Sequence, residues 1–144
     1  MKRITVLLLV CFLQLAGRKI CGISAAPVPY SITGNILQQS TVENEKYFIS
    51  GTFQNSSQKD ISSFTMVFYV FDEDGASPLY ARNNVVMKID ARIPADTKYD
   101  FTLNIDKYFY ENSDGDYESE YLYVSKIAYD DGSEWSDPLG LEVF

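Results

Sequence analysis

The stretch that most constrains this chain is 47–75, YFISGTFQNSSQKDISSFTMVFYVFDEDG, where apolar residues recur at period two on both sides of a polar turn. Tyr47, Ile49, Gly51 and Phe53 fall on one face of an extended strand, and Phe48, Ser50, Thr52 and Gln54 fall on the other, because successive side chains of a strand point to opposite faces. NSSQKD, from Asn55 to Asp60, consists of residues whose side chains bond local backbone, so it turns the chain rather than continuing the strand. Ile61 to Asp72 then carries Phe64, Met66, Phe68 and Val70 on one face and Thr65, Val67, Tyr69 and Phe71 on the other. A strand apolar on both faces belongs in the middle of a sheet, covered on one side by an opposing sheet and on the other by neighbouring side chains or a partner. Val67, Tyr69 and Phe71 are therefore candidate partner-binding residues. Asp72 to Gly75 closes the strand with a turn.

The same rhythm runs through the rest of the chain. Ser31 to Gln38 alternates Ile32, Gly34 and Ile36, Asn84 to Asp90 alternates Val85, Met87 and Ile89, and Tyr99, Phe101, Leu103 and Ile105 alternate with Asp100, Thr102, Asn104 and Asp106. ARIPAD, residues 91–96, contains a proline that cannot donate to a ladder, so it reads as a connection between sheets. Residues 107–120 hold a short helical turn at their aromatic end and an acidic loop after it. Tyr121 to Tyr129 is a further strand with an undecided inward face, since Leu122, Val124 and Ala128 oppose Tyr121, Tyr123, Ile127 and Tyr129. Asp131-Gly132 signals a hairpin, and Ser133 to Phe144 closes the chain, with Trp135 in the core and Pro138 and Gly140 interrupting the last strand. The pattern predicts an all-β, immunoglobulin-like β-sandwich of about seven antiparallel strands over residues 27–144.

Residues 1–26, MKRITVLLLVCFLQLAGRKICGISAA, have a basic start, an apolar run from Ile4 to about Ala16, and small residues at Ser24, Ala25 and Ala26. That is the pattern of a secretory signal peptide. The run is short for a membrane span of about 20 residues, so an uncleaved anchor is the lesser alternative. Cleavage after Ser24 and cleavage after Ala25 both remain open, whereas a cut after Ala26 would leave Pro27 first. Both cysteines, Cys11 and Cys21, lie in this leader; Val10 and Ile20 precede them where a lipidation site would place a small residue. An exported domain without a thiol relies on its core alone, which suits a bacterial periplasm, cell envelope or secreted fraction. Asn55-Ser56-Ser57 matches a glycosylation triplet, and in a bacterium it is simply a turn.

Gly51-Thr52-Phe53-Gln54-Asn55, then Ile61 leading into an aromatic strand, then Asp72-Glu73-Asp74-Gly75, and then Ile93-Pro94-Ala95 ahead of Tyr99-Asp100-Phe101 occur in a fixed order. Over roughly residues 45–105 this order resembles the bacterial FxLYD-type domains. Ala95-Asp96 stands where that pattern has Pro-Gly, and the closing DGSEWSDPLG lies outside it. The resemblance implies an immunoglobulin-like sandwich in exported or lipid-anchored bacterial proteins. It implies no catalytic role and brings no functional residues with it.

With the leader set aside, 8 of the 12 basic residues face all 20 acidic ones, a net charge of −12. Such a surface repels phosphate backbones, so nucleic acid is not an expected partner. The chain has no histidine, and no cysteine follows the leader, which removes Ser-His-Asp and Cys-His catalysis and the usual nitrogen and sulfur metal ligands. Carboxylate-only catalysis needs two acids at a set separation, and nothing in the sequence distinguishes such a pair among the 20 acids. The chain is expected not to be an enzyme.

The loop from Glu111 to Glu120 is the candidate ion site, with Asp114, Asp116 and Glu118 as calcium ligands at alternate positions. It departs from the EF-hand loop, because counting from Asn112 puts Tyr117 and Tyr123 where glycine and a bidentate glutamate belong. Tyr108, Phe109, Tyr110, Tyr117, Tyr121 and Tyr123 crowd around it, and aromatic platforms of this kind anchor proteins or stack on sugars. Tyr108 and Tyr110 join Val67, Tyr69 and Phe71 as candidate partner-binding residues. The expected function is a non-catalytic exported cell-envelope module that binds an envelope or extracellular protein. The alternative is a calcium- or carbohydrate-binding domain that uses the loop 108–123.

Overall fold

The computed structural model describes residues 27–40, 45–80, 82–110 and 113–142. The leader, with its cleavage site and both cysteines, lies outside the described residues, as do Glu111 and Asn112 of the acidic loop. Seven strands are described: β1 Tyr30–Ser40, β2 Glu45–Asn55, β3 Ile61–Phe71, β4 Asn84–Ile93, β5 Lys98–Asn104, β6 Glu118–Tyr129 and β7 Glu134–Ser136. A single 3₁₀ turn, Asp106–Tyr108, stands where the aromatic end of the acidic segment suggested one.

The strands form two antiparallel sheets, β1-β2-β5 and β4-β3-β6-β7, so the chain is an all-β sandwich of the kind expected. Relative to the immunoglobulin constant arrangement, in which the fourth strand joins the sheet of the first two, β4 here pairs with β3 instead. The segment with Pro94 crosses between the sheets, joining β4 of one to β5 of the other. Gly75 and Gly132 take the positive φ their turns require.

The period-two pattern is realised where the sequence was clearest. Ile49, Phe53, Phe64, Met66, Phe68, Val70, Phe101 and Ile105 are buried between the sheets. Tyr30 stacks on Phe53 with ring centres 5.9 Å apart, Phe53 stacks on Phe64 at 4.3 Å, and Trp135 meets Tyr30 edge-on at 5.5 Å. Fully burying each such side chain contributes about 1.5–3 kcal/mol, so this aromatic column carries much of the stability of a domain without cross-links. Tyr30 also ties the sheets together, its hydroxyl accepting the Val124 N–H at 2.8 Å. Gly51 is set by close approach of the strands: a Cβ there would fall on the Thr33 carbonyl oxygen of β1.

β6 resolves the ambiguity of its sequence by changing phase twice. Its register with β3 shifts between Val67 and Tyr69 and again between Thr65 and Met66, where β6 carries the extra residue, and a third shift, between Ile61 and Ser63, places the extra residue on β3. Each extra residue in a bulge reverses which side of the strand faces inward. Val124 and Ile127, which simple alternation puts on opposite faces, are both fully buried as a result.

The last strand is shorter than expected, because β7 ends at Ser136. Pro138 has no N–H for a ladder, Gly140 sits at φ 67, and the buried Asp137 carboxylate accepts the backbone N–H groups of Leu141 and Glu142, both at 3.0 Å. The segment therefore turns over the sheet, and its Gly140 lies against the Tyr123 ring.

Asn55, at the end of the motif that opens the family resemblance, is fully buried. Its amide nitrogen donates to the carbonyls of Lys59, Ile93 and Pro94 at 2.9, 3.1 and 3.0 Å, and its oxygen accepts from the Ser57 N–H and hydroxyl at 3.0 and 2.7 Å. The side chain ties the β2–β3 turn to the β4–β5 connection. A folded chain leaves this amide no room for a glycan.

Candidate functional site

The connections 72–83 and 105–117 meet at one end of the sandwich. Leu79 and Phe109 form an antiparallel bridge, flanked by Tyr80 N–H donating to the Tyr108 carbonyl at 3.1 Å and Tyr110 N–H donating to the Pro78 carbonyl at 3.0 Å. Beneath them Tyr47 stacks on Phe109 at 4.3 Å, and Tyr117 meets both edge-on at 5.2 and 5.3 Å. The Tyr47 hydroxyl points between the Ser113 and Gly115 carbonyls, 3.0 and 3.3 Å away. Phe109 and Tyr117 thus pin the acidic loop to the core.

Of the two tyrosines expected to meet a partner here, Tyr108 is half-buried against the core, with the Lys107 ammonium 4.9 Å from its ring centre. Tyr110 does stand in solvent, 51% exposed. Its ring lies 4.6 Å from that of Tyr80, which is 49% exposed, and its hydroxyl donates to the Tyr80 carbonyl at 3.3 Å. These two rings, with Tyr117, Ser77, Ser113 and Asp72, line an open cleft of about 610 Å³.

The outer face of β3 divides in two. Val67 is corrected from a candidate surface residue to a covered one at 4% exposure. It lies opposite Tyr123 in the register, over which the C-terminal turn folds, with the Tyr123 hydroxyl donating to the Pro138 carbonyl at 3.3 Å. Burial pushes the Tyr123 hydroxyl above its ordinary pKa, which keeps it a neutral donor in this contact. Tyr69 and Phe71 are half-buried and stack on each other at 6.4 Å. Tyr121, 57% exposed, meets Tyr69 edge-on at 5.8 Å.

Tyr121 has φ 50, a left-handed conformation that costs a side-chain-bearing residue about 1–2 kcal/mol. It sits in the β6 bulge opposite Phe68, so the consecutive residues Glu120 and Tyr121 are both exposed while Leu122 packs toward the core. Glu118 pairs with Phe71 and Glu120 with Tyr69. Phe71, Tyr121, Glu118, Glu120, Asp116, Asp72 and Glu73 line a second cleft, of about 590 Å³, and Asp72 is shared with the first. One Asp72 oxygen accepts the Asp74 and Ala76 N–H groups at 3.0 and 2.7 Å, which holds the carboxylate between the clefts.

Of the three proposed calcium ligands, Asp116 and Glu118 share this second cleft, and Asp114 is exposed on the loop outside its lining. Among the described residues, no group of three or more acidic side chains converges closely enough to hold a metal ion. Sequence reasoning missed Tyr80 and Val86, the latter 50% exposed beside Val67 in the register. Tyr80 is an aromatic in a polar, proline-bearing loop, and that mismatch is the signal that could have found it. For the prominence of Tyr121 the signal was the broken alternation of β6. Comparison with known protein families, with curated proteins and with solved structures gives no match.

Proposed function

We propose that this chain is a non-catalytic binding module, exported by its leader to a bacterial periplasm, cell envelope or exterior, that engages a protein partner through the outer face of the β4-β3-β6-β7 sheet. The observation that carries the reading is the contrast between the two outer faces. On the other sheet the outward residues along the β2–β5 pair are hydroxyls and a carboxylate in a cross-strand ladder, Ser50 with Thr102 at 2.9 Å and Thr52 with Asp100 at 2.6 Å, and its apolar outward residues are Leu37, 45% exposed, and its register partner Phe48. The β3–β6 face instead exposes Tyr121, Tyr69, Phe71 and Val86, and rigid aromatics at a rim of polar residues are the usual anchors of protein interfaces.

The test is site-specific photo-crosslinking in the envelope of the bacterium that makes the protein. A photoreactive phenylalanine analogue in place of Tyr121 is expected to yield a discrete crosslinked protein, and the same analogue in place of Thr102 is not. Identical products from both positions, or none from position 121, would refute the reading.

A second reading, favoured by the cleft between Tyr80 and Tyr110, whose lining carries Asp72 as its one carboxylate, is stacking of a sugar ring on those tyrosines. Titration with neutral oligosaccharides checks it: quenching of tyrosine fluorescence that disappears in Tyr80→Ser supports it, and an unchanged spectrum rejects it.

A further inference from the structure

Resting on the protein-partner reading above, we infer that the segment docking on this face is an extended peptide with basic residues at alternate positions. Glu118 and Glu120 stand on β6 directly across from Phe71 and Tyr69. Cross-strand neighbours of this kind lie about 5 Å apart, so each carboxylate sits beside an aromatic ring. The two glutamates are two residues apart on one strand, about 7 Å, which is the repeat of alternate side chains in an extended partner. The aliphatic stem of a lysine or arginine then lies on Phe71 or Tyr121, and its cationic head reaches the carboxylates.

Four of the eight basic residues after the leader are held in ion pairs away from the cleft. The cleft lined by Phe71 and Tyr121 carries five carboxylates and no lysine or arginine. Among the described residues, Lys59 and Arg92 pair with Asp131, Asp60 and Asp130 at the opposite end of the sandwich, and Lys88 and Lys126 pair with Asp90 and Glu134. No ion pair among the described residues engages a cleft carboxylate. Arg82 and Lys126, the nearest basic residues along the chain, do not line the cleft. Concentrated like charge beside exposed rings is electrostatically complementary to a basic chain and repels acidic ones.

The experiment titrates the purified protein calorimetrically with acetyl-Gly-Arg-Ser-Arg-Gly-amide, and with the same peptide carrying citrulline, a neutral isostere, in place of both arginines. The expected result is binding of the arginine peptide alone, weakened about tenfold by E118Q/E120Q and left within about twofold by D90N/D100N, which removes as much charge elsewhere. Tyr121→Asn keeps the fold testable, because asparagine tolerates the left-handed conformation, and it is expected to retain or raise the melting temperature while weakening the peptide about fivefold. Equal weakening by both double variants, equal binding of the citrulline peptide, or no binding at millimolar peptide overturns the inference. A crosslink from position 121 that persists in any of these cases leaves the protein-partner reading standing and removes only the basic partner; loss of that crosslink removes both.

Discussion

Replacing Asn55 with alanine is expected to lower stability by about 2–4 kcal/mol. Its nitrogen has two protons for three carbonyl acceptors, so one proton is shared, and its oxygen accepts twice from Ser57. Each net hydrogen bond contributes about 0.5–1.5 kcal/mol, and a buried partner left unsatisfied adds about 1–3. The Lys59 and Pro94 carbonyls lie at turns where water replaces the lost amide, but Ile93 is buried and its carbonyl faces the vacated site. With a urea m-value of about 1.5 kcal/mol/M, the midpoint falls by about 1–3 M, within reach of a domain stable by about 5–15 kcal/mol. Gln58→Ala, which removes an exposed contact with Asp96, is the control, expected to change stability by no more than about 0.5 kcal/mol. Asn55→Asp sharpens the test. An ionised carboxylate has no proton to donate and would face three carbonyl oxygens, so its folded pKa rises above the unfolded value of about 3.9. The native state then binds more protons than the unfolded one, and stability falls as pH rises through that window. Asn55→Asp should therefore be closer to the parent at pH about 4 than at pH about 7. An Asn55→Ala midpoint no lower than that of Gln58→Ala, or an Asn55→Asp deficit that does not grow with pH, would refute the reasoning.

Three further outcomes follow from the same structure. Gly51→Ala should destabilise by more than about 2 kcal/mol, because the added methyl meets backbone; Gly34→Ala should cost less, since the atom nearest its methyl is the end of the Leu122 side chain at 3.0 Å, with Ile49 and the Ser50 carbonyl at 3.5 Å. Urea midpoints in the order parent, Gly34→Ala, Gly51→Ala check this, and the reverse order of the two variants would contradict it. Burial raises the Tyr30 and Tyr123 hydroxyls above their ordinary pKa, so the stability they contribute is intact below pH about 10 and is lost as pH rises beyond it. Tyr30→Phe should flatten that alkaline fall in melting temperature while lowering stability at neutral pH, since the Val124 N–H loses its acceptor. Millimolar calcium should leave the melting temperature unchanged, because no three acidic groups of the described residues converge; a rise reversed by chelator would restore the calcium reading.

Much of the fold was legible because strand periodicity is a local property. β2, β5 and β3 beyond its irregular start at Ile61–Ser63 follow their alternation, and the NSSQKD turn, the Asp72–Gly75 and Asp131-Gly132 turns and the Pro94 connection all lie where their residue types put them. Trp135 packs on Tyr30 as its size suggested. β6 was not legible, because a bulge is a mismatch between two strands and neither strand alone records it. The role of Asn55 was hidden for a related reason: a turn former and a buried amide look alike until the carbonyls of Ile93 and Pro94 arrive beside it.

For the candidate site, the sequence determined which residues were large, apolar and out of place on a strand with two apolar faces. It named Val67, Tyr69 and Phe71 on that ground, and Tyr108 and Tyr110 from the aromatic crowding around the acidic loop. It could not say that the C-terminal turn covers Tyr123 beside Val67, that Tyr80 crosses from one connection to meet Tyr110 of another, or that Glu118 and Glu120 stand against Phe71 and Tyr69. Alternation decides only that a side chain leaves the strand on a given side. What it meets there depends on pairings far apart in the chain, and only the tertiary structure decides those.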